Sequence, residues 1–144
     1  GEMAIRMIKK VTDKPVIAIF NSHYHGDHFL GNQAFVETYS KDMPIYAHPY
    51  SVKQIKGIEG NTWRNLMERW TNQATAGTKV IPPTHDANQG DVFNFGDVLV
   101  GVYWVLISIK FQVGFKLELS RFDDIEFTSD YAVCFISNCN PIKP

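Results

Sequence analysis

Cysteine is scarce in this 144-residue chain: only Cys134 and Cys139 occur, near the C-terminus. Two thiolates cannot complete a tetrahedral cysteine zinc site, and this spacing implies no disulfide framework. The expectation is thiols that pack or stay free, which fix no compartment. A charge excess is missing as well. Fourteen Lys and Arg stand against 15 Asp and Glu, for a formal net charge of −1. They are scattered rather than massed, so no phosphate-backbone footprint exists and nucleic acid is not an expected partner. Long apolar runs are absent too. The longest, Val98–Ile109 (VLVGVYWVLISI), is broken by a Gly and a Ser. It falls well short of the roughly 20 residues a bilayer span needs, so it reads as a buried strand and no membrane partner is expected. The opening GEMAIRMIKK mixes charge with apolar residues and lacks the uninterrupted core of a signal peptide. Histidine, finally, is confined to five positions, none of them after His85.

The remaining composition, 44% hydrophobic and 20% charged, is that of a globular chain with enough length to bury a core. One domain over residues 1–144 is expected. Met3 to Val11 has helical apolar spacing, "TDKP" (Thr12–Pro15) is a turn, and Val16–Phe20 (VIAIF) reads as a central strand covered on both faces. Asn32–Tyr39 reads as a helix, Pro44–Ala47 as a strand, and the stretch from His48 as a turn and short helix closed by Gly57. Asn61 is expected to cap the next helix, whose Trp63, Leu66, Met67, Trp70 and Ala74 recur at core-facing spacing. "TKVIPP" looks like a strand ending, and "THDANQGD" reads as loop. "DVFNFGDVLVGVYW" reads as two strands around a Phe95-Gly96-Asp97 turn. Strand-like texture continues to Phe127, with a break at Gly114. Helices and strands alternate first and strands dominate later, which gives an α/β or α+β layered domain.

The chemistry concentrates in NSHYHGDHFLGN, residues 21–32. His23 and His25 are two apart, so in extended backbone both imidazoles leave on one face and can share a cation. Gly26 permits a sharp change of direction, after which Asp27 and His28 can be aimed close to the first pair. Imidazole nitrogens with one carboxylate oxygen suit zinc, with iron or manganese as alternatives. The bland reading of each residue alone is a polar loop histidine or a turn acid. Three histidines and an aspartate within six residues, at a strand end where α/β ligand sites form, point to a metal site instead.

At these residues the sequence resembles the metallo-β-lactamase superfamily, whose signature is His-x-His-x-Asp-His after an apolar strand. The resemblance extends over "GNQAF", the strand before "AHP", the Trp63–Trp70 helix and "GDVFNFGD", covering roughly residues 4 to 100. It leaves residues 101–144 as a divergent, strand-rich tail. It implies a four-layer αββα sandwich, here partial, with one or two zinc ions at its rim. By position, His23 and His25 would ligate the first metal and Asp27 and His28 the second. Asp27 would also orient the metal-bound hydroxide or take its proton. The resemblance further implies a later histidine, a bridging aspartate and a final histidine. For the aspartate, "FTSD" offers Asp130, while His48 and His85 are expected at a pocket wall or turn and in a surface loop.

The expected function is therefore metal-dependent hydrolysis of an ester, amide or similar bond in a small-molecule substrate. With the later histidines missing, metal is expected to bind weakly. The alternative is a folded, non-catalytic remnant or fragment lacking the second half of the site. A third reading keeps activity by assembly: open sheet edges pair with another chain unless protected, so a homo-oligomer through the strand-rich tail would complete the site.

Overall fold

The computed structural model describes the backbone of residues 1–95, 98–107, 110–119, 125–127 and 134–137, with side chains for 1–95 and 98–103. The order is α1 (Glu2–Val11), β1 (Val16–Asn21), α2 (Gly26–Phe29), α3 (Asn32–Thr38), β2 (Ile45–Ala47), α4 (Pro49–Lys56) and α5 (Ile58–Trp70). Then follow β3 (His85–Asp86), β4 (Val92–Asn94), β5 (Val98–Ile107), β6 (Lys110–Leu119), β7 (Ile125–Phe127) and β8 (Cys134–Ser137). The strands make two four-stranded sheets, β3-β2-β1-β8 and β4-β5-β6-β7.

β1 is the central element, and its composition explains why. VIAIFN is buried along nearly its whole length because both faces are covered, as an unbroken branched apolar run requires. Ala18 and Phe20 point toward the second sheet and pack with Val98, Val100 and Val102 of β5. Those three alternate along β5 with the less buried Leu99, Gly101 and Tyr103, so β5 has one inner face here. Ile19 points the other way, into a cluster with Ile5 of α1, Phe35 and Val36 of α3, and Ile45 of β2. The pairing of β1 with β8 slips between Val16 and Ala18, and Val16 joins the helix-side cluster. Helices, first sheet and second sheet thus form three stacked layers of an α/β fold. Among the described residues the chain from Val98 onward forms strands alone.

Several expectations are corrected. α5 begins at Ile58, directly on Gly57, which caps α4 and α5 together, so Asn61 lies inside the helix and not at its cap. The apolar stripe of α5 is not core. Trp63, Leu66 and Met67 are half-buried, Ala74 is exposed and Trp70 is 68% exposed. The reason is how α5 docks: its buried residue is Gly60, where an added Cβ would collide with the Ile55 carbonyl and crowd Val80. There α5 runs close against the end of α4. "TKVIPP" forms no strand, because Pro82 and Pro83 have no N–H to give a ladder. Pairing starts just after them, with Thr84 N donating to the Ile45 carbonyl and His85 opposite Tyr46. That places His85 in a two-residue edge strand where loop was expected, though exposed as expected. β6 runs unbroken through Gly114, opposite Tyr103. The Gly96-Asp97 turn lies outside the described residues, between β4 and β5.

His48 caps α4: its Nδ1 accepts the backbone N–H of Tyr50 at 2.9 Å, and Pro49 follows at the first helical position. Burial lowers the His48 pKa below its ordinary 6.5, with Asp86 pulling partly the other way. The unfolded chain therefore binds this proton more readily than the folded one. His48 contributes stability that is complete above pH about 6.5 and is lost as pH falls below it. In His48→Asn, which retains a capping side chain, the fall in Tm between pH 7.5 and pH 5 should be shallower than in the parent. Thermal melts at the two pH values measure it, and an equal fall in both proteins would remove His48 as the source.

Candidate metal centre

The histidine loop begins where β1 ends and is closed by a pair of buried amides. Asn21, the last residue of β1, and Asn32, the first of α3, bond to each other reciprocally. Asn21 Nδ2 donates to Asn32 Oδ1 at 3.0 Å, and Asn32 Nδ2 donates to Asn21 Oδ1 at 2.9 Å. Asn21 Nδ2 also reaches the His28 carbonyl at 3.0 Å, and Asn32 Nδ2 the Ile81 carbonyl at 3.0 Å. Both side chains are buried, so the four contacts satisfy groups that water does not reach. Residues 22–31 are pinched between these two asparagines.

Within the loop, residues 22–25 bend rather than continue extended, and His25 becomes the N-cap residue of the single turn α2. His23 and His25 nonetheless come together, with ring centres 4.5 Å apart at 75°. His23 and His28 are closer, at 4.0 Å and 44°. Gly26 does not serve as a special-conformation hinge, since among the described residues the glycines at positive φ are Gly77 and Gly90. Its role is clearance: a Cβ there would stand 3.0 Å from Met67 Cγ and 3.2 Å from Trp63 Cβ, where α5 crosses the loop. That approach lets the Trp63 ring lie 4.6 Å from His25. Tyr24 stands 5.2 Å from His25 on another side and 5.7 Å from Tyr50. Burial, then Tyr50 and Glu59, push the Tyr24 phenol above its ordinary pKa, so it is a neutral hydrogen-bonding group at neutral pH.

Ser22 ties the imidazoles together. Its hydroxyl lies 3.1 Å from Nδ1 of His23 and 3.1 Å from Nδ1 of His28. On the far side of the His28 ring, Nε2 is 3.3 Å from Asp27 Oδ2. Asp27 is mostly solvent-facing, whereas Ser22, His23 and His28 are buried.

The structure thus gathers His23, His25 and His28, with Asp27 at the edge of the group. It uses His48 as the cap of α4 and holds His85 on the outer strand against Tyr46 and Thr84. Asp130 lies outside the described residues. The donor types suit zinc. Two imidazoles on one zinc set their ring centres about 5 Å apart, given zinc–nitrogen bonds of about 2.0–2.1 Å and a tetrahedral angle. His23 and His25, the pair expected on one metal, stand 4.5 Å apart. Among the described residues, no three His, Cys, Asp or Glu side chains form a group able to hold a metal ion.

Residues 1–106 match the family model of the metallo-beta-lactamase superfamily, and the chain belongs to that superfamily. The match spans α1 through most of β5 and includes the histidine loop. Comparisons with curated proteins and with solved structures gave no match.

Asn21, Ser22 and Asn32 are the positioning residues that histidine counting passes over. Their signal was their place directly flanking the motif, where buried polar groups must find partners. Asn32→Ala would strip the Asn21 amide and the Ile81 carbonyl of their partner. A loss of about 1–3 kcal/mol is expected from leaving such buried groups unpaired. Denaturant unfolding measures it, and a change below a few tenths of a kcal/mol would show that water replaces the amide pair.

Proposed function

We propose that this chain is a metal-dependent hydrolase domain, with His23, His25, Asp27 and His28 as its ligating residues and Asp130 as a further ligand. The observation supporting this reading is the packing of three imidazoles against one another at the end of the central strand β1. A zinc ion held there would supply a hydroxide-generating Lewis acid for an ester, amide or similar bond. As the side chains stand, no three donors among the described residues form a group able to hold a cation. That arrangement, together with the missing later histidines, makes the expected affinity weak. Iron or manganese would suit the same donors. The chain's own residues contribute the rest. Ser22 orients two rings, Trp63 and Tyr24 wall His25, and Asp27 presents the one carboxylate of the loop.

A second reading, a folded domain without turnover, is favoured by one specific observation: among the described residues no three-donor group forms. Assembly into a homo-oligomer that brings further ligands from another copy is the third. Calorimetric titration with zinc separates metal binding from its absence. Saturable heat at micromolar to millimolar zinc, lost in the His23→Ala/His25→Ala double variant, is the expected result, and no heat ends the hydrolase reading. Turnover of a β-lactam or thioester substrate, abolished by His25→Ala, would rule out the silent domain. Sedimentation across concentration decides the oligomer.

A further inference from the structure

The fold gathers positive charge that the sequence disperses. The end of α4, one face of α5 and the segment 77–82 enclose an open cleft of about 540 Å³. Three cations line it, Lys56, Arg64 and Lys79, and no Asp or Glu stands among the lining residues. Gly60 lets the segment approach α5, since a Cβ there would stand 3.1 Å from Val80 Cγ1. The Lys79 backbone N–H, which donates to Gln33 Oε1 at 2.7 Å, ties the segment on its other side. Among the described residues the Lys56 and Lys79 ammonium groups have no ion-pair partner. Arg64 meets Glu68 at 3.6 Å through Nη1 and donates to Asn65 Oδ1 at 2.6 Å through Nη2. A guanidinium has five N–H donors, so others remain for a ligand. Asn61 and Thr78, also in the lining, carry neutral donors. α5 turns Trp63 and Met67 to the histidine loop and Asn61 and Arg64 to the cleft. The cleft and the candidate metal centre thus lie on different faces of one helix.

We propose that this cleft binds the phosphate groups of a small molecule, a phosphomonoester or a diphosphate. Like charges brought together repel one another, so three cations with no carboxylate among them favour a multiply charged anion. The guanidinium offers a planar fork, and each ammonium adds a point charge with three rotatable donors, a set that suits phosphate oxygens. A singly charged carboxylate would engage only part of it. The volume is that of a site for one small ligand. Three cations confined to one concavity do not make a stripe along which a polynucleotide backbone could run. The site goes beyond the hydrolase reading and does not depend on it.

The test is calorimetric titration of the metal-free full chain with pyrophosphate at low ionic strength, where exposed charges are least screened. Saturable binding is expected, weakened about tenfold or more in Lys56→Gln/Lys79→Gln and kept in Lys56→Arg/Lys79→Arg. Lys9→Gln/Lys10→Gln removes the same charge from exposed positions of α1 and should leave binding within about twofold. No saturable heat at millimolar pyrophosphate overturns the proposal. An equal loss in the α1 variant does so too, because the effect would then be one of net charge. A single-stranded oligonucleotide that binds more tightly than pyrophosphate, with the same dependence on Lys56 and Lys79, would replace the small ligand and overturn it. Should the glutamine variant fail to fold, pyrophosphate-induced amide shifts in the parent must centre on Asn61, Arg64, Thr78 and Lys79, and shifts centred elsewhere overturn the proposal. His23→Ala/His25→Ala should bind pyrophosphate as the parent does, whereas loss there would put the anion at the histidine loop and end this inference. Zinc calorimetry is a separate measurement, so the cleft and the hydrolase reading can fail independently.

Discussion

The reciprocal amide pair of Asn21 and Asn32 is the constraint on which the site depends. It joins the end of a buried strand to the start of a helix and returns the ten residues between them to their starting point. A buried amide offers two donors and two acceptor positions, and each unpaired one would be costly. The pair spends its hydrogen bonds on each other and on two carbonyls, His28 and Ile81, that the loop and the segment before β3 would otherwise leave uncovered. Without this closure three histidines on a mobile loop would have no reason to meet. With it, their rings meet.

The sandwich around β1 supplies the rigid frame. Phe20 stacks on Tyr46 at 4.8 Å and meets Phe93 edge-on at 5.3 Å, so the strand that carries the loop is locked between its own sheet and the opposite one. Two glycines then bring α5 in. Gly60 sets it against α4, and Gly26 lets it cross the loop close enough for Trp63 to cover His25. The half-covered aromatic residues of α5 consequently form the wall beside the histidines.

Much of this order was legible beforehand because it rests on local periodicity. The branched run of β1, the helical spacing of α1, Gly57 as a helix stop and the hairpin from Val92 into β5 each have a signal within a few residues. The misreadings concern packing and pairing partners distant in sequence. Asn61 has capping chemistry and Trp63 to Trp70 have core spacing, but what α5 packs against is decided by Gly60 and Gly26, which periodicity treats as breakers. The strand anticipated before Thr84 failed because Pro82 and Pro83 withhold donors, and the break anticipated at Gly114 failed because its partner Tyr103 continues the ladder.

The sequence by itself determined membership: six residues with imidazole and carboxylate chemistry, after an apolar strand, define the superfamily because those side chains have few other uses together. It also determined the α/β layering, since burial patterns of period two and near four are written residue by residue. Tertiary structure alone decided how the donors stand toward one another. Whether a histidine nitrogen meets a cation, a serine or an aspartate depends on sub-ångström placement. No spacing rule carries that information, because it is set by contacts between Ser22, Asp27 and two rings in three dimensions.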